Sequence, residues 1–337
     1  MKILIIGGTG TISSAITRQL AENGHEVWLL NRGNRKDEVP ADVKQVIVDI
    51  NDEKRVLDIL QGETFDAVCE FIGFVPSQVE RDLRLFRGRT RQYVYISSAS
   101  AYNKPAANHV ITEGTTLANP HWEYSRNKIA CEELLMREYR ENAFPVTIVR
   151  PSHTYCERSV PLSVHGLKGS WQVLMRMNDG KPVIVHGDGS SLWTVTWNED
   201  FARGFIGLLG NPKAIGEAFQ IMSDEQLTWN QIYECVGKAL HIQPHLYHVS
   251  SDFLAAVAPK EWDFEGNLLG DKAVTVCFDC TKLKRVVPGF VATTRFDEGV
   301  RRCIAYLMEH PELQVPDPEF DAWCDHVIAV QEKAKQL

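Results

Sequence analysis

Between an apolar run at residues 2–6 and a helical pattern that begins near Thr11 stands the segment Gly7-Gly8-Thr9-Gly10-Thr11-Ile12-Ser13. Few folds place glycines so tightly between a strand and a helix. Gly7 permits a turn that a Cβ would forbid, and Gly10 lets main-chain amides come close to a ligand. The helix that follows presents unpaired N–H groups and about half a positive charge. This combination cradles a pyrophosphate. Because it lies in a strand–turn–helix at the head of a βαβ unit, it predicts a Rossmann fold that binds a nicotinamide dinucleotide. Ser13 takes the position of the usual third glycine and is small enough for the helix to pack closely on the strand.

The first half of the chain repeats that alternation. Residues 2–6, 26–30, 44–48, 67–71, 92–96 and 146–149 are short, mostly apolar runs, as strands buried on both faces require. Residues 11–23, 53–60, 78–86 and 122–142 carry apolar positions three or four apart, as amphipathic helices do. The expected fold is therefore α/β, a doubly wound parallel sheet of Rossmann type with a smaller C-terminal α+β substrate domain. After Arg150 the pattern loosens into short elements punctuated by Pro151, Pro161, Gly166, Gly169, Gly180, Pro182, Gly187 and Gly189. Residues 1–154 are read as the dinucleotide-binding domain, with 183–210 returning to it, and 155–182 and 211–330 as the substrate-binding region. Within the latter part, 182–185 reads as a strand, and 200–209 and 229–240 as helices, the second opened by Thr228 as N-cap.

Composition removes other classes. The chain has 337 residues, of which 44% are hydrophobic and 24% charged, which is ordinary globular usage. Its 36 basic and 44 acidic residues leave a net charge of -8, which opposes nucleic acid as a partner. No apolar run approaches the roughly 20 residues needed to span a bilayer, and Met1 leads straight into a strand, so a cytoplasmic protein without membrane attachment is expected. The eight cysteines are scattered. The one C-x-x-C pair, Cys277 and Cys280, lacks a second pair or nearby histidines, so no metal site is expected.

The second strand runs into Asn31-Arg32-Gly33-Asn34-Arg35, where an acidic residue would bind the ribose 2′-hydroxyl of NAD. No acid is present. Arg32 and Arg35 suit a 2′-phosphate instead, which favours NADP over NAD, and Asp49 after the third strand is placed to contact adenine. Further along, Tyr124 and Lys128 form Y-x-x-x-K within a helical pattern, one turn apart on one face. From there Lys128 is expected to lower the phenol pKa from about 10 toward neutrality, making Tyr124 an acid or base. The fifth strand exits into Ile96-Ser97-Ser98-Ala99-Ser100-Ala101-Tyr102, at the carboxyl edge where ligands bind. Each signal alone is common; the order of cradle, strand-end serines, Y-x-x-x-K and a strand ending Arg150-Pro151 is not.

In that order the chain resembles the short-chain dehydrogenase/reductase superfamily, in its extended NAD-dependent epimerase/dehydratase branch, over about residues 1–210. The resemblance implies hydride transfer at a secondary alcohol or carbonyl carbon of a sugar-like substrate, or reduction of a small carbonyl compound. It implies Tyr124 as acid/base, Lys128 on the nicotinamide ribose and Ser98 as the catalytic serine. Pro151 and Ser152 are implied to lie beside the nicotinamide, and homodimerisation is common in the family. The cofactor set is then Gly7, Thr9, Gly10, Thr11, Ile12, Asn31, Arg32, Arg35, Asp49, Ile50, Ile72, Tyr124, Lys128, Pro151 and Ser152.

Three departures stand out. Ser13 replaces a glycine, and the fourth strand exits through a bulky Cys69-Glu70-Phe71-Ile72-Gly73-Phe74. His153 falls where many nucleotide-sugar enzymes carry a substrate-contacting asparagine. The fourth-strand exit and the Asn31-Arg32-Gly33 loop are similar to the atypical chloroplast stem-loop-binding relatives, some of which bind RNA without an intact Y-x-x-x-K. On the substrate side His153 and Trp193 are the expected contacts. His165, His186 and Trp197 could line the same pocket, the alternative being that Trp193 and Trp197 pack the interface between the domains. Asp200 is expected to cap a helix start.

Overall fold

The computed structural model describes residues 1–34 and 39–336. At its centre β1 (Lys2–Ile6) is buried from Ile3 to Ile6, and its side chains alternate between two cores. Ile3 and Ile5 enter one, Leu4 and Ile6 the other. Around it run β2 (Glu26–Asn31), β3 (Lys44–Ile47), β4 (Ala67–Glu70) and β5 (Tyr93–Ile96), followed by the strands Val146–Arg150 and Glu217–Gln220. These form a seven-stranded sheet in which, from one edge, Glu217–Gln220 and Val146–Arg150 precede the order β5-β4-β1-β2-β3. All of its pairings are parallel. The chain winds outward from β1 to β3 and then returns to β4, so the loops after β1 and β4 diverge and leave a crevice between them.

Helices cover both faces. One carries α1 (Ser13–Glu22) and the helix Asn198–Ile206, whose Phe201 and Phe205 pack with Ile16 and Leu20. The other carries α2 (Glu53–Ile59), α3 (Pro76–Phe86) and α4 (Glu123–Asn142), which bury Val56, Val79, Leu83 and Leu135 among others. A third core, built on Trp193, Trp229, Tyr233 and Phe296, fills the C-terminal region of helices and short strand pairs.

The expected strands and helices of the first half are present to within a residue or two. Two placements beyond it differ from expectation. Residues 217–220, expected in the substrate region, form an edge strand of the main sheet against Val146–Arg150. Within 183–210 the helix packs on the Rossmann part and Val195–Trp197 pairs with His153–Tyr155, whereas Val183–His186 pairs with Leu246–Val249. Asp200 also works away from its own helix start: its carboxylate accepts from the amides of Thr293 and Thr294 and so anchors the approach to the helix Phe296–Glu309.

α4 is tied to the sheet by a buried ion pair. Arg150, at the end of its strand, donates through Nε and Nη2 to Glu132 on α4, at 2.6–3.2 Å, and through Nη1 to the Tyr102 hydroxyl at 3.2 Å. Both charges are out of water. Glu132→Ala would leave the guanidinium uncompensated, so urea titration is expected to report a loss of about 3–5 kcal/mol. A loss below about 1 kcal/mol would mean the pair behaves like a solvent-screened surface bridge.

Candidate active site

The crevice between β1 and β4 holds a groove of about 400 Å³. Gly7, with φ +82°, turns the chain out of β1, and a Cβ there would come within 2.5 Å of Ile72 across the crevice. Gly10 faces open space instead, its nearest atom to a built Cβ being Ser13 Oγ at 3.4 Å. Ser13 does more than fit. Its hydroxyl accepts from the Gly10 amide at 2.9 Å and donates to the Gly7 carbonyl at 2.8 Å, so it stitches the loop into shape. The Gly10 amide is thereby turned inward. Among the described residues, the Thr11 and Ile12 amides at the head of α1 donate to no backbone carbonyl, which leaves them free for an anion. Asn198 steadies the loop from outside through the Thr11 carbonyl.

Gly7, Thr9, Gly10, Asn31, Arg32, Asp49, Ile50 and Ile72 all line this groove. Asn31 accepts from the Gly33 amide and closes the turn that carries Arg32, which is exposed at the rim. Arg35 lies outside the described residues. Arg81 was not foreseen in the groove. It is buried there because Asp82 and Glu70 hold its guanidinium, and it donates to Asn51 at 2.9 Å.

A second cavity of about 230 Å³ lies at the carboxyl edge and is lined by Ser98, Ser100, Trp122, Tyr124, Pro151, Ser152 and His153, together with Asp271 and Lys272. Four of these were expected around a nicotinamide and a reacting carbon, namely Ser98, Tyr124, Pro151 and Ser152. The Ser98 hydroxyl is 2.9 Å from that of Ser100, which accepts from the Ser125 hydroxyl at 2.7 Å. A chain of hydroxyls therefore runs from Ser125 on α4 to Ser98 in the cavity wall. Phe74 lines the groove, its ring 6.4 Å from that of Tyr124 in the cavity wall.

Lys128 corrects one expectation. Its ammonium is buried and donates to the carbonyls of Gly73 and Ile96, each at 2.7 Å, where the chain leaves β4 and β5. It sits 5.8 Å from the centroid of the Tyr124 ring and makes no hydrogen bond to the hydroxyl. Burial instead pushes the phenol up to about 12, against the opposing pull of the nearby Ser98 hydroxyl. The same burial lowers Lys128 to about 8.

The expected substrate side divides. His153 is in the cavity; burial holds its imidazole neutral, near 3, and its Nδ1 is buried without a hydrogen-bond partner. Trp193 is not in the cavity. It is stacked on Trp229 at 5.5 Å within the C-terminal core, on a short strand paired with Leu227–Thr228. Trp197 packs edge-on against Tyr155, and His186 is held by Ser163 and the Lys272 carbonyl, so both serve packing.

Asp271 and Lys272 come from far along the chain, at the end of a π-helix, Glu265–Lys272. Such helices are rare and concentrate at functional sites. This one docks on the head of α4: a Cβ on Gly266 would overlap the Trp122 ring, and Asn119 donates to the Gly270 carbonyl at 2.7 Å. Nothing in the local pattern of residues 265–272 marks them for the site. The residues Gly266 and Gly270 are a signal only once Trp122 is known to face them.

A pyrophosphate cradle and a hydroxyl-lined cavity on one parallel-sheet edge define a Rossmann-type nicotinamide enzyme. The family model "NAD dependent epimerase/dehydratase family" matches residues 3–221, and the chain belongs to that family. It is 28% identical to the chloroplast stem-loop binding protein of 41 kDa b of Arabidopsis thaliana over 78% of this chain and 68% of that one. It is 26% identical to the 2'-dehydrokanamycin reductase of Streptomyces kanamyceticus over 79% and 71% of the two chains. The fold is similar to that of the epimerase Mth375 of Methanothermobacter thermautotrophicus, with TM-score 0.74, 18% identity and 93% of each chain covered. Among the described residues no helix is long and apolar enough to cross a membrane.

In the cofactor-free protein, ultraviolet titration is expected to find no Tyr124 phenolate between pH 7 and 10, read as the difference from Tyr124→Phe, since that phenol titrates near 12. A Tyr124 phenolate appearing near neutrality would show that Lys128 tunes it without help.

Proposed function

We propose that this chain transfers hydride at a secondary alcohol or carbonyl carbon of a sugar-like substrate, with Tyr124 moving the proton. The carrying observation is the placement of Ser98 and Tyr124 together in the wall of one cavity with Pro151 and Ser152. A nicotinamide bound there supplies the hydride donor or acceptor. Ser98 and Tyr124 hold the substrate oxygen between two hydroxyls. Tyr124 is a phenol rather than a phenolate across the physiological range, so the protein by itself is poised to donate a proton to a carbonyl oxygen as that carbon gains hydride. Lys128 fixes the edge of the site and stands ready for the hydroxyls of a ribose. The proposed pyrophosphate contacts are the Thr11 and Ile12 amides.

NADP is the preferred cofactor in this reading, because Arg32 stands at the rim where the second strand ends and Asn31 replaces an acid. One relative carries a stem-loop binding name, yet this chain keeps Tyr124 and Lys128 and has a net charge of -8. Those features support turnover over nucleic-acid binding.

Tyr124→Phe is expected to lower the hydride-transfer rate by about 10²–10⁴-fold, with a much smaller loss of calorimetric NADP affinity. Undiminished turnover in this variant would remove Tyr124 from the chemistry. Arg32→Ala should weaken NADP more than NAD by calorimetry, and equal losses would show that the arginine does not read a 2′-phosphate. Failure of the wild type to bind either dinucleotide would end the reading altogether.

A further inference from the structure

We propose that Lys272 is a substrate-binding residue that selects a sugar-like substrate bearing a compact anion, a carboxylate or a phosphate, near the reacting carbon. The inference rests on the reading of the Tyr124 cavity as the reaction site and adds the substrate's charge. Lys272 lines that cavity at the end of the π-helix and is buried. Its position is fixed from behind, since its carbonyl accepts from Trp229 Nε1 at 3.2 Å and is 3.0 Å from His186 Nε2. Its Nζ donates to the neutral Asn267 amide oxygen, and among the described residues no carboxylate lies within ion-pair distance of it.

The neighbouring charges leave a surplus. Asp271, the acid next to it, is paired with Lys104, which is itself buried. Lys104, Asp271 and Lys272 together therefore carry one net positive charge beside the cavity when both lysines are protonated. Burying an ammonium without a counter-ion is costly, and burial with Lys104 nearby does lower Lys272 to about 8. A substrate anion would relieve that cost. His153, in the same wall, is held neutral by burial and so adds no second positive charge to compete for the anion. The cavity's size, about 230 Å³, suits a carboxylate or phosphate on the substrate itself rather than a long appended group.

The test uses the full chain saturated with NADP and three probes in calorimetry at pH 7: D-glucuronate, D-glucose 6-phosphate and uncharged D-glucose. At least one acidic probe is expected to bind more tightly than glucose, and which one does so separates carboxylate from phosphate. Lys272→Met should weaken the acidic probe about tenfold, Lys272→Arg should retain most of its affinity, and glucose should change little in either variant. Wild-type protein that binds acidic and neutral probes equally, or binds no acidic probe, overturns the proposal, and does so even if Lys272→Met fails to fold. An unchanged acidic-probe affinity in folded Lys272→Met also overturns it. The proton-transfer reading is judged separately by turnover of Tyr124→Phe, so either can fail while the other stands.

Discussion

A buried ammonium must find acceptors, and the way Lys128 finds them organises the site. Its two bonds, to the carbonyls of Gly73 and Ile96, gather the exits of β4 and β5 beneath one face of α4. Tyr124, one turn earlier on that face, is thereby set over the strand-end serines, and the Glu132–Arg150 pair further along fixes the helix to the next strand. The constraint has a cost for chemistry. An ammonium committed to two carbonyls makes no hydrogen bond to the phenol, so the cofactor-free protein keeps Tyr124 protonated.

The groove and the cavity are built on different physical terms. The groove is shaped by small residues and main-chain geometry: Gly7 out of the way of Ile72, Gly10 open, Ser13 bonding both sides of its own loop. Charge there is peripheral, at exposed Arg32 and Asp49, except for Arg81, which two buried acids hold in place. The cavity is shaped by side chains, with hydroxyls on the Rossmann side and charged groups on the C-terminal side. Its two halves meet where Trp122 and Asn119 receive the π-helix, so the head of α4 positions both Tyr124 and, through that contact, Lys272.

Most of the first 150 residues could be read directly because parallel strands and covering helices obey short periods. A strand buried on both faces is apolar throughout, as in β1 and β5, and a cradle between strand and helix has little freedom. The same holds for Tyr124 and Lys128, whose proximity follows from helix geometry alone. Trp193 misled because an aromatic residue after the last central strand suits a pocket wall and a core equally well, and only its stack on Trp229 decides between them. The edge strand Glu217–Gln220 escaped because four residues among turns have no distinctive pattern until Val146–Arg150 offers a partner.

The sequence by itself determined the Rossmann half, the dinucleotide cradle and the serine, tyrosine and lysine of the proposed active site, since each depends on neighbours within a few residues. Tertiary structure alone decided what those groups experience. Whether Lys128 faces a phenol or two carbonyls, whether His153 is charged, and whether Lys272 reaches the cavity at all depend on segments far apart in the chain. Burial and long-range contacts set those outcomes, and neither has a local period to read.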